Sequence, residues 1–199
     1  TEVAIADHGA HCCGYPWTYV SGWGSKFSAP ATLPNYNSYG MSFSPAGTEA
    51  CFGDQFTPFV AAYPWSASGF GTKFADPSSL PAGWGWSMCF SPSGDEIIVG
   101  HGSGDYVSSW EWSASGWGTK LTSPGSNTPG NYCYGVCMSV AGTEVLCAHA
   151  QSPYLSVYAF TSGGIGSKIA DPSDLPPSYG YGVCMSTSGK EARSEEHTS

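Results

Sequence analysis

The stretch SPSGDEIIVGHGSGDYVSSWEWSASGWGTKLTSPGSNTPGNYCYGVCM, residues 91–138, decides the fold, because the chain repeats it about four times. The period is clearest at four lysines that follow one another at intervals of 47, 47 and 48 residues: Lys26, Lys73, Lys120 and Lys168. Four glycines repeat in the same way, at intervals of 47, 48 and 47 residues: Gly47, Gly94, Gly142 and Gly189. An internal period of 20–50 residues is the signature of a repeat architecture, so the repeat unit determines the fold.

The repeat divides the chain into units that we take as 1–43, 44–90, 91–138 and 139–185, followed by a stub at 186–191. We expect 1–191 to form one array and to be a fragment of a larger one. The last segment, 192–199, departs from the repeat and looks non-native, so it is excluded from the predicted fold.

Each unit contains four short runs that are rich in β-branched and aromatic residues. In the quoted unit they are run B at 96–101, run C at 106–112, run D around 120–121 and run A at 135–138. Clusters of Gly, Pro, Ser and Asp separate them, as turns require. Four antiparallel strands in 47 residues predict one propeller blade, so we expect an all-β propeller of about four blades in B-C-D-A order.

The run FSPSGDEIIVGHGSGDYVSSWEW, residues 90–112, resembles the WD-repeat type of β-propeller, although no Trp-Asp pair ends run C. The fuller unit, with PWSASGFGTKFADPSSLP at 64–81, is similar to propeller repeats of bacteriophage virion and tail-associated proteins. That resemblance implies a virion-associated or extracellular protein that acts as a scaffold or recognition module.

Composition narrows the possible partners. The formal charge is -9 with six basic residues, which disfavours nucleic acid as a partner. No apolar run reaches 18 residues, so we expect no membrane insertion.

The cysteines and histidines raise the question of a metal. His8, His11, Cys12 and Cys13 lie within six residues, but zinc needs four ligands in a tetrahedron and adjacent cysteines rarely point to one centre. Three other cysteines, Cys89, Cys137 and Cys184, occupy equivalent positions and are expected to pack as small apolar side chains. We therefore expect free thiols, no metal and no cofactor.

The end of run B carries Asp7, Asp54, His101 and His149 at equivalent positions. Two acids and two imidazoles near one face could act as acid–base or ligand-binding groups. The alternative, which the absence of any accompanying catalytic pattern favours, is that each bonds its own loop.

The segments before run A carry aromatic pairs, and they are the strongest candidates for a binding site. The residues are Trp84 and Trp86, Tyr132 and Tyr134, Tyr179 and Tyr181, with Asn37 and Tyr39 in the first copy. In a propeller these segments share one face with the B–C loops, where exposed rings could stack on sugars or anchor a protein. The alternative is that they pack between blades.

The expected function is a non-enzymatic binding or scaffold propeller, with a protein or glycan partner on the aromatic face. One alternative is a lectin with a weak site in each blade. Another is a propeller-type hydrolase or lactonase, which would need convergent carboxylates and a metal.

Overall fold

The chain is almost entirely β in the computed structural model, which describes residues 2–7, 11–186, 188 and 192–196. One short 3₁₀ turn, Gly125–Asn127, interrupts the described strands. The first strands are β1 (Glu2–Asp7), β2 (His11–Thr18), β3 (Gly22–Trp23), β4 (Ser38–Phe43), β5 (Glu49–Asp54), β6 (Val60–Ser66), β7 (Gly69–Phe70) and β8 (Gly85–Phe90). The others are β9 (Glu96–His101), β10 (Val107–Ser113), β11 (Gly116–Lys120), β12 (Cys133–Met138), β13 (Glu144–His149), β14 (Leu155–Thr161), β15 (Gly164–Lys168), β16 (Gly180–Met185) and β17 (Ala192–Glu196).

The strands form antiparallel sheets in sequence order. Three sheets have four strands each, and we call them the first, second and third complete blades: β4–β7, β8–β11 and β12–β15. The sheet β1–β2–β3 precedes them and the pair β16–β17 follows them. Residues 192–196, set apart above as a tail, form β17 and pair with β16. The prediction of an all-β, propeller-type array of four-stranded antiparallel blades is confirmed.

The tight turn between the first two strands of each blade follows from its sequence. In the second complete blade, the N–H of Gly94 donates to the carbonyl of Ser91 at 3.0 Å, and Gly94 has a φ of 83°. Glycine adopts that left-handed conformation without steric cost. The Ser91 hydroxyl accepts the N–H of Glu96 at 3.1 Å, which fixes the start of β9.

The innermost strands β4, β8, β12 and β16 contact one another in succession. Glycines allow this close approach. A Cβ on Gly85 would lie 2.4 Å from the carbonyl oxygen of Phe59, and a Cβ on Gly135 would lie 2.9 Å from the Cα of Gly182. Successive blades therefore meet backbone to backbone at their inner edges.

The core lies between blades rather than within one of them. One buried cluster joins Val60 and Ala62 of the first complete blade to Met88, Ile97 and Trp110 of the second. A matching cluster joins the second and third complete blades. This is the arrangement expected when a single four-stranded sheet cannot cover its own apolar faces.

The cysteines and lysines serve the blades. All eight cysteines are free, and Cys51 and Cys147 are fully buried in these clusters. Lys73 and Lys168 form ion pairs with aspartates three residues on, and Lys120 lies 5.4 Å above the Trp110 ring. In the part of the chain that the structure describes, no helix could cross a membrane.

Two kinds of loop share one side of the molecule, which we call the loop face. They are the B–C loops 55–59, 102–106 and 150–154 and the segments before the inner strands, 35–37, 82–84, 130–132 and 177–179. The N–H of Gly102 donates to the carbonyl of Trp84 at 3.0 Å, and Ala150 bonds Tyr132 in the same way at 3.2 Å. These bonds tie each B–C loop to the segment beside it.

Candidate functional site

An inner row of aromatic rings runs across the loop face, with one ring from each inner strand. Tyr39 lies 4.4 Å from Trp86, Trp86 lies 5.2 Å from Tyr134, and Tyr134 lies 5.1 Å from Tyr181, measured between ring centroids. These distances are typical of favourable aromatic pairs. The inner row therefore links the three complete blades and the following pair β16–β17.

A second, outer row of aromatic rings comes from the residues two positions before those of the inner row in the sequence. Trp84, Tyr132 and Tyr179 are 41%, 44% and 46% exposed. Trp84 contacts Trp86 at 5.7 Å, and Tyr132 contacts Tyr134 at 6.1 Å. The sequence left stacking platform and blade packing as alternatives. In the structure the rings of the inner row pack against one another between blades, with Tyr181 at the end of the row 42% exposed, whereas the outer row presents its rings to solvent.

A cleft of about 370 Å³ opens on the loop face beside Trp84. Its walls come from the B–C loops of the first and second complete blades and from the segments that precede the second and third complete blades. The lining residues are Phe59, Ala82, Gly83, Trp84, Trp86, Gly102, Ser103 and Tyr132. The indole N–H of Trp86 is buried and finds no hydrogen-bond partner among the described residues. An apolar, concave site with few polar groups is the usual form of a small-molecule site.

The cleft exists because four small residues occupy positions at which the preceding blade has larger side chains. Ala82, Gly83, Gly102 and Ser103 correspond to Asn35, Tyr36, Gln55 and Phe56. There, the rings of Tyr36 and Phe56 pack 5.1 Å apart, and the amide of Asn37 donates to Gln55 at 2.8 Å. Side chains thus fill the place that is open beside Trp84.

Larger side chains also reduce the open space at the equivalent place in the following blade. Gln151 stands where the second complete blade has Ser103, and Asn131 stands where it has Gly83. The Gln151 side chain lies over Gly130, whose added Cβ would be 3.1 Å away. The cleft residues Ala82, Gly83, Gly102 and Ser103 were not predicted from the sequence, although the change from bulky to small side chains at these repeat positions is visible there.

The B–C loops end in an unusual backbone conformation. Phe59, Tyr106 and Tyr154 occupy equivalent positions and have φ values of 70°, 60° and 67°. Aromatic residues rarely adopt the left-handed region, and such strain persists only where the surroundings fix it. Here the carbonyl of each accepts the N–H of the residue that ends the preceding strand, at 2.8–2.9 Å. The conformation places Phe59 at the cleft.

His101 is completely buried and bonds its own blade at both ring nitrogens. Its Nδ1 lies 2.8 Å from the carbonyl of Ser103, which can only accept, so Nδ1 carries the proton. Its Nε2 accepts the hydroxyl of Ser108 at 2.9 Å. Burial lowers the pKa of His101 to about 4. The imidazole is therefore neutral at pH 7 and holds the B–C loop.

His149 and Asp54 occupy the same position in the neighbouring blades. Nε2 of His149 accepts the Ser156 hydroxyl at 2.9 Å, and burial lowers the pKa of His149 to about 4. Asp54 accepts the N–H groups of Asn35 and Tyr36, and burial raises its pKa. Asp54 thus holds the segment beside its B–C loop and His149 bonds the neighbouring strand β14, and none of the three groups lines the cleft.

No metal centre is found in the part of the chain that the structure describes. His8 and the side chains of Asp7 and His11 lie outside the described residues. Cys12 is buried, and burial raises the pKa of its thiol to about 12. Among the described residues, no three His, Cys, Asp or Glu side chains are grouped to hold a metal ion.

The loop face is nearly uncharged. The segments 82–86, 102–106, 130–134 and 177–181 contain one ionisable carboxylate, Asp105, and no lysine, arginine or histidine. The cleft can therefore offer stacking surfaces, hydroxyl groups and backbone groups, but it has no cationic side chain for an anion.

Solved structures with the same fold are identified by comparison. A candidate 6-phosphogluconolactonase from Bacteroides uniformis matches 97% of this chain with a TM-score of 0.73 and 14% identity. A Desulfotomaculum acetoxidans protein of unknown function matches 98% with a TM-score of 0.71 and 13% identity. The periplasmic gluconolactonase of Pseudomonas aeruginosa matches 96% with a TM-score of 0.71 and 12% identity.

The chain spans about three-fifths of the length of these three structures, with coverages of 60%, 59% and 60%. No family model and no curated protein matches the sequence. At such low identities the matches establish the propeller-type fold alone.

These comparisons correct two expectations from the sequence. A non-enzymatic binding or scaffold module was expected, with a virion or phage tail association. Two of the three structures are instead named for lactonase activity, and none of the three is named as a virion or scaffold protein. The repeat pattern could not make this distinction, because a propeller serves enzymes and scaffolds alike.

Proposed function

We propose that this propeller binds and hydrolyses sugar lactones, with the lactone ring held in the cleft beside Trp84. The observation that carries the proposal is the aromatic cleft itself, open in one blade and filled in the preceding one. The likeness of the fold to structures named as lactonases supports it.

The chemistry of the cleft suits such a ligand. A sugar lactone has an apolar ring face, which an indole or phenol ring can cover, and oxygen atoms at its edge. The buried N–H of Trp86 lacks a partner among the described residues, so an oxygen acceptor that reached it would relieve an unpaired donor. In hydrolysis, water adds to the carbonyl carbon and the ring C–O bond breaks, which yields an open-chain hydroxy acid that ionises at neutral pH to a hydroxycarboxylate and a proton.

The charge of the site favours a lactone without phosphate. A phosphate group is normally bound by Arg, Lys or a helix N-terminus, and none of these lines the cleft. Lys73 and Lys168 pair with aspartates, and Lys120 lies over Trp110. The finer resemblance of the repeat to WD-repeat units stays a prediction.

The proposal is tested by following acid release from glucono-δ-lactone at constant pH, above the spontaneous rate. We expect acceleration by the protein and a loss of at least about tenfold in kcat/KM for Ser103→Phe, since Phe56 is the equivalent residue in the filled blade. Ser162→Phe, an exposed position on the opposite face, is the matched control.

Two results would contradict the proposal in different ways. No acceleration above the spontaneous rate would overturn the activity. Acceleration that Ser103→Phe and Ser162→Phe leave equally intact would overturn the location of the site.

A further inference from the structure

We propose that the substrates are lactones of neutral oligosaccharides, with the lactone ring in the cleft and the attached sugar residue on the rings of Tyr179 and Tyr181. This inference rests on the proposed function and assigns its substrate class. Three observations support it: aromatic rings are exposed beyond the cleft, the surface lacks charged side chains, and the outer row begins at Trp84.

The exposed aromatic surface continues well past the cleft. Tyr132 lines the cleft and contacts Tyr134 at 6.1 Å, and Tyr134 stacks on Tyr181 at 5.1 Å with an angle of 22° between the rings. Tyr181 is 42% exposed and Tyr179 is 46% exposed. Neither residue lines the cleft. A ligand of a single ring would leave this second surface uncovered.

Exposed apolar patches with polar groups at their rim are a feature of ligand- and partner-binding surfaces. Tyr179 adds to this surface beside Tyr154, with their ring centroids 6.0 Å apart. Tyrosine suits a sugar because its ring covers the apolar face of the ligand while its hydroxyl bonds polar groups at the edge. Burial and the neighbouring tyrosines raise the pKa of Tyr134, so its phenol stays protonated at neutral pH. The surface therefore presents neutral donors and acceptors.

The charge pattern selects an uncharged ligand. The segment 177–181 carries no ionisable residue except its tyrosines, and the chain as a whole has a formal charge of -9. An acidic polysaccharide would meet no cation on this surface and would be repelled by the protein's net charge. A neutral oligosaccharide meets no such penalty.

The direction of the ligand is set by the blade on the other side of the cleft. There the outer aromatic position is Asn37, which bonds Gln55, and the rings of Tyr36 and Phe56 pack against each other. Tyr36 and Phe56 are about half exposed, but they do not occupy the outer-row position. The outer row itself therefore begins at Trp84 and continues through Tyr132 to Tyr179. The reducing-end lactone is therefore placed at Trp84 and the rest of the sugar chain towards Tyr179.

The test compares hydrolysis of glucono-δ-lactone with that of a disaccharide aldonolactone, cellobiono-δ-lactone. We expect kcat/KM to be about tenfold higher for the disaccharide. Tyr179→Ala should remove most of that advantage and leave the monosaccharide rate unchanged, and Tyr179→Trp should restore it. Tyr19→Ala, at a fully exposed tyrosine on the opposite face, is the control and should change neither rate.

Equal kcat/KM values for the two lactones, or an advantage that Tyr179→Ala leaves intact, would overturn the inference while the proposed function stood. If neither lactone is hydrolysed, the proposed function fails. Calorimetric titration with cellobiose and with glucose then tests whether the surface at Tyr179 binds a second sugar residue. Tighter binding of cellobiose that depends on Tyr179 supports it, and equal or absent binding overturns it. Thermal melting of each variant excludes unfolding as the cause of a loss.

Discussion

At the scale of single residues, one position performs the same task with two different chemistries. Asp54 accepts backbone N–H groups from the segment beside its B–C loop, whereas His101 donates Nδ1–H to a carbonyl within its own loop. Both side chains are fully buried. The position therefore requires a polar side chain that binds a loop, and neither residue is left free to act on a ligand.

The buried histidines predict an acid-sensitive fold. Burial lowers the pKa of His101 and His149 to about 4, below the value of about 6.5 for an unfolded chain. Between these values the unfolded state binds more protons than the folded state, so stability is full above pH 6.5 and falls as the pH drops towards 4. At pH 5 the loss is about 2 kcal/mol for each histidine.

Urea unfolding at pH 7.5 and pH 5.0 measures this loss. The double variant His101→Gln and His149→Gln is the comparison, because glutamine does not titrate. We expect it to be less stable than the parent protein at pH 7.5 but to lose much less stability on acidification. The same loss in both proteins would assign the acid sensitivity to other groups.

The sequence predicted where the candidate site residues lie but not which of them are accessible. The repeat register placed Trp84, Tyr132 and Tyr179 at equivalent positions, and the structure exposes all three. The same register gave no sign that His101 and His149 are buried, because burial depends on how neighbouring loops fold over a strand end. The small side-chain volume at 82–83 and 102–103 leaves the cleft open. The periodicity of the repeat alone does not reveal this difference in volume.

At the scale of the element, the inner strands are the most constrained parts of the fold. Gly85 of β8 lies against the carbonyl of Phe59 and the Cα of Gly53, where added Cβ distances are 2.4 and 2.9 Å. Backbone atoms cannot move aside as a flexible side chain can. We therefore expect Gly85→Ala to reduce the free energy of unfolding by about 2–3 kcal/mol.

Gly166→Ala in β15 is the matched control, since its nearest neighbour would lie 3.4 Å away and its residue is exposed. Urea unfolding of the two variants should show a large loss for Gly85→Ala and a small change for Gly166→Ala. Similar stability in both would mean that the blades can separate at their inner edges without cost.

The strands themselves were largely predictable because each is bounded by residues with a definite turn chemistry. Run B at 96–101 corresponds to β9, and run A at 135–138 lies within β12. Run D was placed around 120–121, whereas β11 covers Gly116–Lys120. The difference arises because pairing with β10 begins directly at the hairpin turn, where Ser113 faces Gly116.

At the scale of the whole molecule, the repeat accounts for the propeller-type fold, and the departures from the repeat account for the site. Near-identical units would present equivalent surfaces in every blade. Here the pair Tyr36 and Phe56 fills one loop-face position, Gln151 narrows another, and Gly83 and Ser103 leave the one between them open. The fold and the cleft are thus encoded in different residues of the same unit.

The binding stoichiometry of a lactam analogue of glucono-δ-lactone, measured by isothermal titration calorimetry, tests this claim most directly because the lactam resists hydrolysis. We expect one bound molecule per chain and loss of that binding in Ser103→Phe, with binding to Ser162→Phe unchanged. Three equivalent sites, one for each complete blade, or a single site that Ser103→Phe leaves intact would contradict it.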